Sequence, residues 1–535
     1  MFRNSAIEYS ATKQFQKLVL DYLASSSALN PFIKYPFQIE EIEKIIADKK
    51  KNNTNRELLV NVLQKQYNGI PNSEIGLKQI SSLLDENTFT VTCAHQPNLF
   101  SGPLYVISKT ISTINFTVAC KKKFPSFHFV PVYWIGSEDH DLEELNHVFI
   151  NGRKIEWQSD QSGAIGRMNL SQVDLLIEQI KQSLLASENT NEVIDMIARS
   201  YSENRSMADA LKYLLNELFG EDGLIILDQD DLELKNEFSV IMKDELIEQK
   251  SFAVVQSAIQ QLEAAGYHAQ VNPREINLFY LGDNFRERII YDSTSDEFQV
   301  LKTDLKFSKE EILKELNDYP ERFSPNVILR PLFQEKVLPN LALIGGSAEV
   351  AYWLELKSLF DLHKINLPMI VLRNHLMMID QGAVGKLQKL GLNITDLFDS
   401  EDELIRKFLD KNSTGETKLG KELKQLENLF DEIVIKAETA DSTLKQFVLA
   451  EKQKLINSMQ SIQSKILKAQ KRKQDEAINQ IKKLKEKLFP DQSLQERHEN
   501  FISFYSKYGK EFISALKKNL HPFEKRLTVL TEEVI

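Results

Sequence analysis

The sequence predicts an α/β protein with a parallel sheet at its centre, insertions hung on that sheet, and a long helical coiled coil behind it. Three observations carry the expectation. Between Thr88 and Ile135 an alternating β-branched run, a helical run and a continuous apolar run follow one another as a βαβ unit. Asn151-Gly152 lies between two short apolar runs, the pattern of an antiparallel hairpin. Leu455, Met459, Ile462, Ile466 and Ala469 step 4-3-4-3, the narrow seam of a coiled coil.

A chain of 535 residues exceeds what one hydrophobic core usually holds, so more than one structural unit is expected. With 42% hydrophobic and 27% charged residues it reads as globular rather than disordered. A net charge of −11 argues against a general nucleic-acid binder, which needs a basic footprint, although a local basic cleft remains compatible with it. Only Cys93 and Cys120 are present, which fits a reducing cytoplasm. The start, MFRNSAIEYSATKQFQK, lacks the apolar core of a signal peptide. The longest apolar stretch, Phe127 to Gly136, is far short of the roughly 20 residues of a membrane span. A cytoplasmic protein with no membrane partner is expected.

In chain order, residues 1–85 read as helical and amphipathic, as in Gln14 to Leu23. Residues 86–145 form the first part of the core: a strand at Thr88 to Cys93, a helix from Leu104 to Lys122 opened by Pro103, and a buried strand at Phe127 to Ile135. Residues 146–222 are a first insertion with the Asn-Gly hairpin and helices. Residues 223–249 return to the core through a strand at Gly223 to Leu227, and Asp228-Gln229-Asp230-Asp231 reads as a strand-to-helix cap. Residues 250–320 mix a helix with short alternating strands as a second insertion. Residues 321–381 complete the core with strands at Val327 to Leu329, Ala342 to Gly345 and Met369 to Leu372. Residues 382–500 are the helical coiled-coil region, with an earlier arm broken near Thr439 to Ser442 and a later helix of about 40 residues, roughly 60 Å long. Such an arm must pair within the chain, with a second copy, or both. Residues 501–535 read as a C-terminal helical segment.

Ligands of open α/β sheets sit at the carboxyl ends of the strands, and three polar segments end strands here. The first runs from His95-Gln96-Pro97-Asn98 to Gly102-Pro103, where a helix start offers N–H groups to an anion; the plainer reading is a capped turn. The second is Ser137-Glu138-Asp139-His140-Asp141, with His147 able to approach. Three carboxylates and a histidine in five residues are costly to crowd unless solvated, metal-bound or proton-sharing, and the plainer reading is an acidic helix start capped by Ser137. The third is the glycine turn at Gly345-Gly346 ahead of Ser347-Ala348-Glu349. Arg330 and Arg373 end strands as possible anion clamps. The cysteine spacing does not fit a structural zinc, so no structural metal is expected.

The stretches SGPLYVISK, PVYWIGSEDHDLEELNH, LFGEDGLIILDQDD, SPNVILRPLFQEKVLPNLALIGGSAEVAYW and LFPDQSLQER, in that order, resemble the cysteine ligases of bacillithiol synthesis, the BshC family. Ala94-His95-Gln96 stands where that resemblance leads one to expect glycine-glutamine-glutamine. The resemblance implies a Rossmann-like core related to class I aminoacyl-tRNA synthetases, with inserted connecting domains and a coiled coil that forms a homodimer. It implies the condensation of L-cysteine with the amine of glucosaminyl malate. The chain has neither a HIGH tetrapeptide nor a KMSKS-like loop, so the use of ATP with magnesium is inferred by analogy.

On this reading Glu138, Asp139, His140 and Asp141 are the catalytic candidates, one of them the general base. Gln96, Asn98, Tyr105, Asn146, His147, Arg330 and Arg373 are the substrate-binding candidates. Ser101, Gly102, Gly345, Gly346 and Glu349 are the nucleotide-binding candidates. Which acid or histidine is the base, and whether a further catalytic metal takes part, stay open. The rival reading is a non-catalytic, nucleotide-binding coiled-coil scaffold that supports thiol synthesis.

Overall fold

The run Thr88–His95 (β1) lies beside His128–Ile135 (β2), joined by the helix Tyr105–Lys123 (α1) that packs on both. The two strands are parallel and in continuous register from Thr88 opposite His128 to His95 opposite Ile135. Ile225–Asp228 (β3) continues the sheet beyond β2. Asn340–Gly345 (β4) pairs with the other edge of β1, and Met369–Leu372 (β5) pairs with β4. All five strands are parallel, in the order β5-β4-β1-β2-β3. Their side chains are almost all buried on both faces, which is why β2, β5 and most of β4 read as continuous apolar runs, while in β1 the alternating threonines are buried as well.

The computed structural model describes residues 2–52, 54–412 and 419–533. The chain divides into two compact units. One comprises residues 2–378 and 493–530 and contains the parallel sheet. The Asn-Gly hairpin joins His147–Ile150 to Arg153–Glu156; Asn151 and Gly152 both have positive φ (50° and 77°), the backbone of a type I′ turn. A second, antiparallel sheet is built from Leu278–Leu281, Arg286–Asp292, Glu297–Val300, Lys306–Phe307 and Phe323–Pro325.

Several expectations are corrected here. The first 85 residues are not wholly helical, because Phe2–Glu8 is a strand that pairs with Arg526–Glu532, so the C-terminal segment is not wholly helical either. Val327 to Leu329 is a turn rather than a strand: the Asn326 side chain accepts the N–H groups of Ile328 and Leu329 and leads into the helix Arg330–Val337. Asp231 does cap a helix, Leu232–Glu248 (α2), by accepting the N–H groups of Glu233 and Leu234.

The other unit comprises residues 379–492 and the chain from Thr531. Its helices Gly420–Ala440 and Leu444–Lys473 pack as an antiparallel hairpin. Glu438 pairs with Lys445 and Asp431 with Lys452, each pair stepping seven residues back from the turn. The expected 40-residue helix is two helices, since Gln474 (φ −123°, ψ 26°) separates Leu444–Lys473 from Asp475–Leu488. No helix among the described residues is long and apolar enough to cross a membrane.

Candidate functional site

From β1 the chain lays β2 and β3 on one side, then crosses back to lay β4 and β5 on the other. The strand order therefore reverses between β1 and β4, and the carboxyl ends of those strands diverge into a crevice. A cleft of about 890 Å³ opens there. Residues from the carboxyl ends of all five strands line it: His95 and Gln96 from β1, Gly136 and Asp139 from β2, Gln229 from β3, Gly346 and Ser347 from β4, and Arg373 from β5. The second and third polar segments and the beginning of the first thus meet in one place.

The floor is fixed by buried polar ties. Lys109 of α1 donates to the Ala94 carbonyl at 2.6 Å and pairs with Glu349. Glu349 also accepts the Gly346 N–H at 2.8 Å, which holds the glycine turn closed against the helix Ser347–Glu355 (α3). Burial would raise the Glu349 carboxyl, but Lys109 and the Gly346 N–H outweigh it and keep it below the usual range. A Cβ added at Gly346 would sit 3.5 Å from the Glu349 carboxylate and 3.9 Å from Arg373 Nε, ordinary contact distances. The Ser347 hydroxyl beside it is buried with no hydrogen-bond partner.

His95 accepts the Gln96 N–H at Nδ1 (2.8 Å), which leaves the ring proton on Nε2, 2.7 Å from the Tyr105 hydroxyl. Burial and Lys109 push the imidazole down to about 4, so the ring is neutral at ordinary pH. Gln96 donates to Asp139 at 3.0 Å, joining the ends of β1 and β2.

The acidic tail of β2 separates into different environments. Glu138 and Lys235 of α2 form an ion pair with both side chains 0% exposed, and Glu138 also accepts from Gln229 (2.8 Å) and Ser324 (3.1 Å). It does not line the cleft. Asp139 faces the cleft; burial would raise its carboxyl, but Gln96 and Arg286 hold it below the usual range. His140 accepts from Arg286 at 3.2 Å and is lowered by burial and by that guanidinium. Asp141 and Asn146 line a neighbouring hollow with His140 rather than the main cleft. The Ser137 hydroxyl donates to Asp228 and caps no helix.

Asn98, Ser101 and Gly102 are buried away from the cleft lining. Gly102 has φ 71°, and a Cβ there would meet the Asn98 side chain at 2.7 Å, so the glycine serves the turn. Gly345 ends β4 just behind the lining. His147 packs against Phe149, also outside the main cleft. Arg330 lines the cleft and donates to Gln334 (3.1 Å) and Tyr352 (3.3 Å). Arg373 lines it too, but its fork is taken by Glu496 at 2.9 and 2.8 Å, and its guanidinium lies over the Tyr105 ring. Among the described residues no group of three or more His, Cys, Asp or Glu side chains is placed to hold a metal ion.

A family model described as the N-terminal Rossmann-like domain of bacillithiol biosynthesis BshC matches residues 3–374. A second, described as the BshC C-terminal coiled-coil domain, matches residues 376–532. The chain belongs to the BshC family. A relative from Flavobacterium johnsoniae, named "Putative cysteine ligase BshC", is 41% identical over 98% of this chain and 99% of its own length. One of the same name from Christiangramia forsetii is 39% identical over 98% and 99%. Another, from Lysinibacillus sphaericus, is 26% identical over 94% and 95%.

This BshC-family cleft also holds residues that its sequence did not single out. Lys109 lies in the second turn of α1, where neither charge pattern nor spacing marks it as a cleft residue. Glu144 lines the cleft, and its carboxyl is raised by burial and by Asp141 and Asp139. Arg286 comes from the second insertion and donates to Ser324 (2.9 Å) and the Pro325 carbonyl (3.2 Å). Arg497 reaches the cleft from the segment after the coiled coil. The available signal was the family-like stretches themselves: SGPLYVISK ends on Lys109, PVYWIGSEDHDLEELNH contains Glu144 and LFPDQSLQER ends on Arg497, whereas Arg286 lies in none of them.

Proposed function

We propose that this chain is a ligase that joins L-cysteine to the amine of glucosaminyl malate to form bacillithiol, with the cysteine carboxylate activated by ATP. The observation that carries the reading is the convergence of all five strand ends on one cleft bearing both acidic and basic side chains. The relatives' name, cysteine ligase, supports it.

A free carboxylate is a poor electrophile, so its oxygen first attacks ATP, either at the α-phosphorus to displace pyrophosphate and leave an acyl-adenylate, or at the γ-phosphorus to displace ADP and leave an acyl-phosphate. The turn at Gly346 and the partnerless Ser347 hydroxyl fit phosphate oxygens at the start of α3. Arg330 and Arg497 offset the charge that develops there. Magnesium accompanies the nucleotide and neutralises its phosphates when bound. Asp139, held ionised, fits an ammonium group. Glu144, with its raised carboxyl, fits the base that takes the proton from the attacking amine. The amine nitrogen then forms the C–N bond as the activating phosphate group leaves. The same reading takes the protein as a cytoplasmic homodimer joined through the coiled coil, with no nucleic-acid partner.

The test is to incubate purified protein with cysteine, glucosaminyl malate and ATP–magnesium and to follow bacillithiol by mass spectrometry. Product is expected, and Asp139→Asn and Glu144→Gln should each lower turnover by about 100-fold with the fold intact. No product from protein that binds ATP would favour the scaffold reading. ATP consumption without cysteine would indicate transfer to another acceptor.

A further inference from the structure

We infer that Arg274 and Arg288, with Asn272, form a dicarboxylate subsite at one end of the cleft, which takes the malyl end of the acceptor. The assignment of the ligand rests on the ligase reading above; the subsite itself rests on geometry. Asn272 and Arg274 lie on an irregular stretch between the helix Lys250–Ala264 and the strand Leu278–Leu281. A loop in that position would ordinarily be loose, but buried carboxylates pin this one at both ends. Glu355, at the end of α3 and 0% exposed, accepts the N–H groups of Gln270 (2.7 Å) and Val271 (3.3 Å). At the other end Asn277 accepts the Arg274 N–H (3.1 Å) and donates to the Arg274 carbonyl (2.8 Å). Asn277 is itself tied to the buried Glu245 by two bonds of 2.8 Å. Two buried carboxylates used to hold a surface loop make sense if the loop must present something at a fixed place.

What it presents is unspent positive charge. Asn272, Arg274 and Arg288 line the main cleft, and also a second hollow of about 350 Å³ beside it. Arg288 comes from the strand Arg286–Asp292, and its Nε is shielded from water with no hydrogen-bond partner. A guanidinium N–H left so is costly unless a ligand meets it. Neither Arg274 nor Arg288 has an acidic partner among the described residues, whereas Arg373 is paired with Glu496, and Arg286 and Arg330 donate to neighbouring groups. Glu275, the acid next to Arg274, faces the second hollow and not the main cleft. Two planar forks on separate, rigid elements match two carboxylates, each able to accept a bidentate pair. The phosphates have their own place at the start of α3, and the sugar hydroxyls carry no charge, so the dianion that suits this end is a dicarboxylate.

The experiment is calorimetric titration of full-length protein with glucosaminyl malate, L-malate, glucosamine and magnesium–ATP, using the unmodified chain, Arg274→Gln, Arg288→Gln and the double variant. Each single change should weaken both dicarboxylates by about 10-fold and the double change by more, with glucosamine and ATP within about twofold. The dimethyl ester of glucosaminyl malate should bind weakly to all four proteins alike. Glu355→Gln, a positioning change, should raise the acceptor KM while leaving kcat within about twofold. Unchanged dicarboxylate affinity in a folded double variant overturns the subsite. So does a loss confined to ATP, or a lack of binding of either dicarboxylate to the unmodified protein. Arginine-dependent dicarboxylate binding without thiol formation would keep the subsite and sink the ligase reading. Thiol formation by the double variant at unchanged acceptor KM would do the reverse.

Discussion

At the scale of single residues the best-determined feature of the cleft is a charge that does not face it. Glu496 is fully buried and accepts both arms of Arg373, the Leu376 N–H at 3.0 Å and Nδ1 of His375 at 2.6 Å. Burial alone would raise its carboxyl, yet Arg373 and His375 bring it down to about 2. Burial and Arg373 push His375 down to about 4. Both groups bind fewer protons folded than unfolded in acid, so both make stability fall as pH falls: His375 from about 6.5 to 4, Glu496 from about 4.5 to 2. Glu496→Gln should therefore cost roughly 3 kcal/mol or more at neutral pH, because it leaves the Arg373 charge buried without its counter-charge. It should also flatten the acid limb below pH 4.5. Urea unfolding across pH 3 to 8 checks both, and an unchanged acid limb would show that the pair does not titrate as described. Arg373 was legible as a strand-end arginine; its partner, 123 residues further on, carried no signal that spacing could reveal.

Elements were legible where burial is two-sided. β2 and the Ala342 to Gly345 part of β4 read as strands because nothing polar interrupts them, β1 because it alternates β-branched residues, and the Asn-Gly turn announced its hairpin. The misreadings share one cause. Val327 to Leu329 is apolar and short, and what makes it a turn is the Asn326 side chain in front and Pro331 in the first turn of the helix behind. Phe2–Glu8 is mostly exposed and polar, and becomes a strand only because Arg526–Glu532, at the far end of the chain, lies beside it. Pairing that distant is invisible to local pattern. The cap of α2 belongs to this scale as well. Asp231 holds the first turn of the helix that carries Lys235 to Glu138. Asp231→Ala should lower stability by about 1 kcal/mol in thermal melts, and no measurable change would mean that water replaces the cap fully.

At the scale of the whole molecule, the three polar segments could be foreseen as strand ends, but which of their residues face one another could not. Glu138 and Asp139 are adjacent in sequence, yet one is sealed against Lys235 and the other opens to the cleft. The arm poses a similar question. Its two helices pair within the chain, yet Ile435 remains 66% exposed and Phe447 63%, near the turn that joins them. Apolar side chains left in water on a coiled coil are the expected ground for a second copy. Analytical ultracentrifugation at micromolar concentration should find a dimer, and Ile435→Glu with Phe447→Glu should shift it toward monomer. A monomeric unmodified protein would count against the coiled coil as a dimer interface.

The route of the chain has one more consequence. Arg497, Glu496 and Asn500 are reached only after the ribosome has made the whole helical arm, yet Asn500 closes the turn at Phe100 and Gly102, and Glu496 neutralises Arg373. During synthesis the sheet strands emerge between about 120 and 400 codons before these partners, with the arginine's counter-ion still missing. A nascent chain halted before Leu494 would carry the sheet and most of the cleft lining, yet lack the residues that lock them. Premature termination should therefore yield a substrate for proteases rather than a partly working catalyst.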